Sequence, residues 1–498
     1  MKKYQTFTFL FFGIVIIFSS CRKDFDFSPS TGDLSFSRDT VFLDTVFSNI
    51  SSSTYSLKVY NRSNQDVQIP SIQLSNGLES EYRLNVDGQA GKQFQNIPLA
   101  AKDSLYIFIE VNFDVSTTAL NEFLYTDAIL FDEGANQQSV PLVTLVKDAI
   151  FIFPKRNANG IQETIPLDFN STGNTSVGFL LDTTQLQFTN EKPYVIYGYA
   201  TVPEYTTLQI DAGARVHFHK DSGIYVQSGA SLRVDGALST DQEFLENEVI
   251  FEGDRLEPEF SDIAGQWTGI WLANGSTNNN INYLTLKNAI NGIFIDGLGA
   301  NTTLNISNSQ IYNSANTNLR SSAGIVNGTN VVLGSAGNSS LFCELGGSYS
   351  FNHCTIANYW NTSFRIGFAV QLTNTSGTNS NDLLQANFSN CIIDGFNNQE
   401  LLLSSNTNNL FNFNFTNCML KINENIADNM LYNFEDNTLY DTVFFNEDAA
   451  FTDPVNNIFT IEPTSFAIDN ADPVNAGLAP TDLLGQNRIM TPAIGAYQ

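Results

Sequence analysis

Three short segments of the sequence each place a cysteine at the same point of one pattern. The segments are YSFNHCTIANY, ANFSNCIIDGF and FNFTNCMLKIN, and their thiols belong to Cys354, Cys391 and Cys418. A thiolate is both a metal ligand and a nucleophile, so repeated cysteines raise metal binding and thiol chemistry as candidate functions. The residues around them decide between these chemistries and a structural role.

A zinc site needs ligands that converge from different directions, usually with a second Cys or His at short spacing. The chain contains no C-x-x-C pair, and His353 directly precedes Cys354, so these side chains are expected on opposite faces. If the segments stack, the three thiols form a core column in which each behaves as a small hydrophobe. A disulfide between Cys343 and Cys354, or between Cys391 and Cys418, stays open because an exported chain permits oxidation.

The segment FEGDRLEPEFSD gathers carboxylates that are candidate ligands for Ca²⁺: Glu252, Asp254, Glu257, Glu259 and Asp262. Their spacing is not that of an EF-hand, and a solvated acidic loop is the alternative. His217 and His219 alternate with apolar residues, so both are expected on a solvent-facing strand surface. The sequence predicts no cofactor other than this candidate Ca²⁺ and no firm metal site.

Three aromatic residues are candidate glycan-binding residues. Trp271 is expected to face outward if its neighbours Ile270 and Leu272 face inward, and Tyr359 and Trp360 stand where a strand gives way to a loop. Exposed aromatic rings stack on the apolar faces of sugar rings. The alternative is that these rings pack on a neighbouring loop or domain.

A repeating region has to position these residues. Two sets of positions align, namely Ile281, Ile306, Phe351, Phe388 and Phe415, and Leu284, Ser309, Cys354, Cys391 and Cys418. The spacings are 25, 45, 37 and 27 residues, and the interval of 45 has room for two turns. Repeats of about 20–30 residues that carry strands and turns predict a parallel β-solenoid, in which each unit buries its apolar face against its neighbours.

The first part of the chain shows a different pattern. In LYIFIEVNF, apolar residues alternate with polar ones, and short strands at this spacing predict a β-sandwich over residues 33–148. The phrases VYNRSNQDVQI and AAKDSLYIFIEV resemble immunoglobulin-like modules of bacterial surface proteins. The predicted fold class is therefore all-β, with a sandwich over 33–148, a junction over 149–192, a right-handed parallel β-helix over 193–464 and a closing segment over 465–498.

The N-terminus has the features of an export signal. Lys2 and Lys3 precede the apolar run FTFLFFGIVIIF, which predicts a signal peptide over residues 1–20. FSSC resembles a bacterial lipobox, which implies lipidation of Cys21 and a linker over 21–32. The following RKDFD resembles the export signal of surface lipoproteins, so we expect a lipid-anchored protein of the outer membrane, displayed at the cell surface rather than on the periplasmic side.

The charge balance restricts the partners. The chain has 23 basic and 51 acidic residues, a net charge of −28, which would repel nucleic acid and anionic membrane surfaces. An anionic polysaccharide would also be repelled unless divalent cations bridged the two. The expected partners are a membrane, through the lipid anchor, and a polysaccharide or another surface protein.

The second half of the chain resembles parallel β-helix proteins of the pectate-lyase-like superfamily, in VIYGYATVPEYTTLQIDAGARVHF and QWTGIWL. Its last residues, SFAIDNADPVNAGLAPTDLLGQNRIMTPAIGAYQ, resemble the tail of choice-of-anchor Q β-helix proteins. The resemblance implies a segment that closes the open end of the last coil, with Arg488 available to pair with Asp469 or Asp482.

Enzymes of this fold usually carry recognisable groups, such as paired carboxylates for glycoside hydrolysis. The strings that mark polygalacturonase-like hydrolases do not occur, and the repeat region is poor in basic residues: Lys287, Arg320, Arg365 and Lys421 are all it has from 281 to 430. The sequence favours a non-catalytic surface protein that presents its β-helix for glycan or surface-component binding. The alternative is a polysaccharide lyase or glycoside hydrolase with an unrecognised active site.

Overall fold

The computed structural model describes residues 27–113, 122–167, 175–298, 302–423, 425–426 and 430–498. The regular structure is nearly all β-strand, which confirms the all-β fold class. The chain divides into two compact units, Met1–Asp148 and Ala149–Gln498. The predicted signal peptide, Cys21 and the export signal lie outside the described residues. Within the described ranges, no helix is long and apolar enough to cross a bilayer.

The first unit contains eleven described strands and two 3₁₀ turns, Gly77–Glu79 and Gly134–Asn136. The strands are β1 (Ser28–Pro29), β2 (Leu34–Phe36), β3 (Val41–Phe47), β4 (Tyr55–Asn61), β5 (Val67–Leu74), β6 (Tyr82–Val86), β7 (Gln89–Gly91), β8 (Gln93–Leu99), β9 (Ser104–Val111), β10 (Glu122–Phe131) and β11 (Gln138–Lys147).

These strands form two sheets around one apolar core. One sheet has the order β1-β5-β10-β11-β3 with β8 also paired to β5, and the other has the order β2-β4-β9-β6-β7. In β9, Leu105, Ile107 and Ile109 are buried while Tyr106 and Phe108 are exposed, which is the alternation of a strand with one face on a core. Part of the predicted linker also belongs here, because β1 pairs with β5.

The second unit contains 33 described strands. They are β12 (Ile150–Ile152), β13 (Thr164–Pro166), β14 (Thr175–Leu180), β15 (Gln187–Phe188), β16 (Tyr194–Ile196), β17 (Tyr199–Val202), β18 (Thr207–Asp211), β19 (Arg215–Phe218), β20 (Gly223–Val226), β21 (Ser231–Asp235), β22 (Val249–Gly253), β23 (Gly269–Leu272), β24 (Asn279–Asn282), β25 (Leu284–Lys287), β26 (Asn291–Asp296), β27 (Thr303–Tyr312), β28 (Thr317–Ser322), β29 (Ile325–Leu333), β30 (Ser339–Glu344), β31 (Gly347–Asn352), β32 (Thr355–Asn358), β33 (Val370–Thr373), β34 (Thr375–Ser376), β35 (Asn379–Ser380), β36 (Leu383–Ser389), β37 (Ile392–Gly395), β38 (Leu401–Ser404), β39 (Asn414–Thr416), β40 (Met419–Leu420), β41 (Tyr440–Asp441), β42 (Phe444–Phe445), β43 (Phe451–Asp453) and β44 (Ile458–Ile461). The helical turns are Thr183–Gln185, Pro258–Phe260 and Pro454–Asn456, with a one-turn α-helix at Pro473–Ala476.

Two long sheets dominate this unit. A 19-stranded sheet is built from parallel pairs such as β16–β19, β19–β22 and β22–β25, and a ten-stranded sheet runs in the order β13-β14-β17-β20-β23-β26-β28-β30-β33-β38. One turn of the chain, here called a pass, contributes strands to both sheets, and β21, β22 and β23 form one such pass. The strands of each pass pair with the equivalent strands of the preceding pass. The predicted junction over 149–192 already contributes to them, because β12 pairs with β16 and β14 with β17.

The register explains the spacing of the repeats. Ile281 pairs with Ile306, Ile306 with Gly328, Gly328 with Phe351, and Phe351 with Phe388. The interval of 45 residues therefore holds two passes. Gly328 occupies the equivalent position on the intermediate pass, which the alignment of apolar residues did not include. Phe351 and Phe388 stack at 5.2 Å between ring centroids, and both are almost fully buried between the sheets.

The residue before each column cysteine has a left-handed backbone. Asn390 and Asn417, which precede Cys391 and Cys418, have φ of 52° and 49°, and His353 before Cys354 has φ of 51°. Asn tolerates this conformation better than most residues, which explains the repeated Asn-Cys pair as a turn followed by an inward-facing side chain. The repeated Asn-Cys motif, which raised metal binding and thiol chemistry as candidates, thus marks a turn of the backbone.

The sequence predicted that the last residues close the open end of the final pass, and the structure shows a different arrangement. They run back across the outer face of the 19-stranded sheet, where the amide of Ala496 donates to Thr355 Oγ1 (3.0 Å) and Tyr497 donates to Gln310 Oε1 (3.2 Å). Sheet residues beneath this segment are apolar and buried: Val332, Ala357, Ile392 and Met419. Burial of this outer apolar stripe holds the segment along the sheet.

Arg488 also has partners other than those the sequence suggested. Its side chain is 0% exposed, and its guanidinium donates to the carbonyls of Gly495 (3.1 Å) and Ala496 (3.2 Å). Asp482 instead accepts from the backbone amides of Leu484 and Gln498. Burial lowers the pKa of Arg488 to about 10, and the nearby Asp482 carboxylate opposes that shift.

Candidate functional site on the ten-stranded sheet

An aromatic column runs along the outer face of the ten-stranded sheet. Tyr225 pairs with Trp271, Trp271 with Phe294, Phe294 with Arg320, and Arg320 with Phe342. Their chain neighbours point the other way and fill the core, as Ile270, Ile293, Leu319 and Leu341 show. Because strands in a sheet lie ~4.8 Å apart, the column places five large planar groups on successive strands.

Trp271 points away from the core, as its inward neighbours Ile270 and Leu272 predict, but it is covered rather than exposed, which is the packed alternative that the sequence left open. Only 3% of it is accessible, since it packs against Tyr225 (5.1 Å between ring centroids) and belongs to one apolar cluster with Ile165 and Leu167. Residues 165–167, which lie more than 100 positions earlier in the chain, shield this end of the column. Trp271 therefore packs within the column and offers no exposed ring to a ligand.

The accessible part of the column is Phe294, Arg320 and Phe342, all half-buried. The Arg320 guanidinium carbon lies 5.4 Å from the Phe294 centroid and 5.7 Å from the Phe342 centroid, so the cation is held between two rings. Glu344 accepts from Arg320 Nη2 at 2.5 Å and from Ser376 at 3.1 Å. The charge of Arg320 is thereby balanced, and the strip combines two half-buried aromatic rings with an electrically neutral ion pair.

Two clefts flank Trp271 and give the column its polar borders. The first is lined by Tyr199, Thr268 and Asn291 together with Phe294 and Arg320. The second, of about 250 Å³, is lined by Tyr225 and by polar side chains: Glu204, Gln227, Ser228, Asn274 and Asp296. Amides, hydroxyls and carboxylates beside a planar apolar strip are the groups that orient a polyhydroxylated ligand.

A glycine makes room for the first cleft. Gly269 begins β23 with φ of +132°, and a Cβ at this position would lie 1.7 Å from the carbonyl oxygen of Asn291. Only glycine permits this backbone approach. The close contact sets the position of β23 and, with it, of Trp271.

The other two candidate glycan-binding residues lie elsewhere. Tyr359 follows β32 of the 19-stranded sheet, donates to Asp394 Oδ2 at 2.9 Å and packs edge-on against Phe396. Burial and the Asp394 carboxylate raise the pKa of Tyr359. Trp360 is half-buried and donates to Ser363 at 2.9 Å. Tyr359 thus behaves as the packed alternative anticipated for it, and no described contact joins either residue to the column.

The acidic loop is not arranged as a calcium cage. Glu252 pairs with Lys287 at 2.9 Å, Asp254 with His219 at 2.7 Å, and Glu257 with Arg255 at 2.9 Å. Glu259 and Asp262 have no place in a shared cluster, since no group of three or more acidic, His or Cys side chains in the described ranges could hold a metal. Three of the five carboxylates are instead paired with nearby basic side chains.

A ladder of titratable groups crosses the outer face of the 19-stranded sheet. His217 lies beside Glu252 on the adjacent strand, and Lys287 lies beside Tyr312 on the adjacent strand. Burial works against ionised Glu252, yet His217 and Lys287 hold its pKa below the usual range; burial likewise works against charged Lys287, whose pKa Glu252 raises. His217 was expected in solvent but is only 6% exposed.

The thiols of Cys354, Cys391 and Cys418 lie inside, each at 0% exposure, and Cys343 is also buried. All four are free thiols in the structure, so neither disulfide alternative is formed. The backbone amide of Cys391 lies 3.4 Å from Cys418 Sγ. Burial raises the pKa of Cys354 and Cys391, which suppresses the thiolate that thiol chemistry requires.

The sequence missed Phe294, Arg320, Phe342 and Glu344. Arg320 was noticed only as one of few basic residues, because its partners lie on other passes of the chain. The available signal was the outward position of each residue next to an inward Ile or Leu. That signal becomes a site only when the lateral register between strands is known.

Comparisons with known proteins add little here. No family model matches the chain, and no curated protein does. Among solved structures, it is similar to a PapD-like domain of human CEP192 (11% identity, 25% of this chain, 91% of that chain, TM-score 0.16). A family 123 glycoside hydrolase from Clostridium perfringens (11% identity, 23% and 25%, TM-score 0.16) and the periplasmic chaperone SfaE (12% identity, 23% and 57%, TM-score 0.15) are similar to the same low degree. These similarities carry no conclusion on fold or function.

Proposed function

We propose that the chain is a lipid-anchored outer-membrane protein that binds neutral glycans on the outer face of the ten-stranded sheet. In this proposal an immunoglobulin-like sandwich precedes a right-handed parallel β-helix. The parallel pairing of successive passes supports the β-helix, and the two sheets around one core support the sandwich. The lipid anchor at Cys21 and the surface location rest on the sequence.

The strip of Phe294, Arg320 and Phe342 is the observation that carries the binding proposal. Half-buried aromatic rings favour contact with the apolar parts of a sugar, and the paired charges of Arg320 and Glu344 leave no net charge to attract a uronate. Phe294 and Phe342 lie two strands apart, ~9.6 Å, so they support two units of one extended chain. The first cleft includes Phe294 and Arg320 and so adds polar groups to the strip itself, whereas the second cleft lies beside Trp271 and Tyr225.

A binding assay with neutral and acidic glycans tests this proposal. The full chain in non-ionic detergent is screened on a glycan array, and hits are measured by calorimetry. Phe294→Ala and Phe342→Ala should each weaken binding about tenfold. Phe364→Ala is the matched control, because this ring is 89% exposed on a loop outside the strip. Retained affinity in the Phe294 and Phe342 variants would disprove the assignment.

The anchor needs a separate experiment. Cys21→Ser should move the protein from the membrane fraction to the soluble fraction, and a lipid label should be lost with it. Whole cells treated with a protease should lose the protein if it is displayed outside. Survival of the protein in intact cells, with loss only after lysis, would place it on the periplasmic side.

A polysaccharide lyase or glycoside hydrolase is the second candidate, and the ladder of His217, Glu252, Lys287 and Tyr312 favours it. The Glu252 and Lys287 side chains, 23% and 21% exposed, offer a proton acceptor and a proton donor on neighbouring strands of an outer sheet face. Incubation of the same glycan panel with and without Ca²⁺ distinguishes the two functions. New reducing ends or unsaturated products that vanish in Lys287→Met would establish catalysis, whereas retention without turnover supports binding alone.

A further inference from the structure

The first unit carries a second aromatic surface that the sequence did not single out. It lies on the outer face of the sheet β2-β4-β9-β6-β7 and consists of Tyr60, Tyr106 and Phe108. Tyr106 and Phe108 are 49% and 45% exposed, and their ring centroids lie 6.2 Å apart with planes 13° from parallel. These rings form an exposed aromatic surface, the platform, in contrast to the covered Trp271.

Two cations sit on this platform. Lys58 Nζ lies 5.3 Å from the Tyr60 centroid and 5.0 Å from the Tyr106 centroid, and the Arg62 guanidinium carbon lies 4.1 Å from the Tyr60 centroid. In the described part of the chain, neither cation has a carboxylate at ion-pair distance. Both positive charges are therefore available at one end of the platform.

The opposite end of the platform is different in character. Glu110 follows Phe108 on the same face of β9 and accepts from Thr54, while Arg83 stands opposite Glu110 on β6. The platform thus runs from a cationic end at Tyr60 to the Glu110 carboxylate beyond Phe108, which gives a bound chain a direction.

We infer that this platform binds acidic saccharides, with a uronate carboxylate at Lys58 and Arg62 and sugar rings stacked on Tyr106 and Phe108. Cations placed over aromatic rings favour a ligand with both an apolar face and a negative charge. A pyranose uronate has both on one ring. This site differs in chemistry from the neutral strip on the ten-stranded sheet, so the inference goes beyond the proposed function.

The overall charge of −28 does not prevent this binding. At physiological salt the field of an exposed charge is screened within about 8 Å, so a short oligosaccharide experiences mainly Lys58 and Arg62. A single-stranded nucleic acid would also stack on such rings. It carries a phosphate at every residue over a longer path, however, and meets the acidic remainder of the chain. The short acidic saccharide is therefore the favoured occupant.

The test compares an acidic tetrasaccharide with its uncharged methyl ester. The full chain in non-ionic detergent is titrated by calorimetry with tetragalacturonate and with its methyl ester at about 0.15 M salt. The acid should bind, and the ester should bind about fivefold more weakly. Lys58→Gln and Arg62→Gln should lower affinity for the acid and leave the ester unchanged. In a Phe294→Ala, Phe342→Ala background, which removes the neutral strip as a second site for the uncharged ester, Tyr106→Ala and Phe108→Ala should weaken both ligands about tenfold.

Two control variants locate the binding. Phe42→Ala removes a ring that is 62% exposed on the other sheet of the same unit, and Phe294→Ala alters the strip of the second unit. Both should leave tetragalacturonate binding intact, with thermal unfolding recorded for every variant. Equal affinity for acid and ester, absence of binding, loss of acid binding in Phe294→Ala, or tighter binding of oligonucleotides than of the uronate would each overturn the inference.

Discussion

Arg365 and Glu400 form an ion pair in the interior, with Arg365 Nη1 at 2.9 Å from Glu400 Oε2 and Nη2 at 2.5 Å from Oε1. Their side chains are 3% and 0% exposed. Glu400 also accepts from the backbone amides of Ala369 and Asn397, so its oxygens are fully used. The pair fixes a loop on which Phe364 and Ile366 are 89% and 81% exposed.

Removal of one partner of this pair should destabilise the second unit. Arg365→Ala leaves a buried carboxylate without its cation, and we expect the free energy of unfolding to fall by about 3–5 kcal/mol. Arg233→Ala breaks an exposed pair with Asp235 and should cost under about 1 kcal/mol. Urea unfolding measures both. Equal effects of the two variants would contradict the buried role of Arg365.

The four described cysteines should be inert in the native protein. Cys343, Cys354, Cys391 and Cys418 are buried free thiols, so a thiol reagent should label none of them until the chain is unfolded. In denaturant without reductant, mass spectrometry should then find all four labelled. Two missing labels at Cys343 and Cys354, or at Cys391 and Cys418, would reveal one of the disulfides that the sequence left open.

The sequence was sufficient for features that depend on local pattern. Inward columns such as Phe351 and Phe388 follow from alternation, and the repeated Asn before Cys follows from a left-handed turn. Features that depend on distant segments were not accessible. The cover of Trp271 by residues 165–167 involves segments more than 100 positions apart, and Glu400 meets Arg365 across one complete pass.

The position of the last residues could not be predicted from the sequence for the same reason. Their apolar pattern predicts burial, but it does not say against which surface. The stripe of Val332, Ile392 and Met419 supplies that surface, and these residues look like ordinary strand positions in the sequence. The expected exposure of Trp271 and His217 failed for a related reason: both point away from the core, yet they are only 3% and 6% exposed.

Substitution of Gly269 tests whether its close backbone contact positions the column. Gly269→Ala places a methyl group 1.7 Å from the carbonyl oxygen of Asn291, so β23 must shift and the unfolding free energy should fall by more than about 3 kcal/mol. Gly477→Ala is the control, since its nearest neighbour is the Val474 carbonyl oxygen at 3.2 Å and its backbone is helical. That variant should change stability by under about 0.5 kcal/mol. Calorimetry and glycan affinity are measured on both.

His353 should make the protein sensitive to acid. It is 0% exposed and accepts the Asn390 amide at 2.8 Å through Nε2, in the turn position that Asn occupies on neighbouring passes. Burial, with the nearby Arg488 cation, lowers the pKa of His353 from 6.5 to about 3. Between these values the unfolded chain binds a proton that the folded chain excludes. Stability should therefore fall as pH drops below 6.5, by up to about 1.4 kcal/mol per pH unit.

His353→Asn restores the residue type of the neighbouring turns and should remove this part of the pH dependence. Urea unfolding at pH 7, 6 and 5 gives the difference between wild type and variant, which cancels the contribution of the carboxylates. His219→Asn is the matched control with opposite sign: Asp254 raises the pKa of His219, so its contribution is present at low pH and is lost as pH rises. Parallel pH profiles for wild type and His353→Asn would show that His353 titrates normally and is not held neutral by burial.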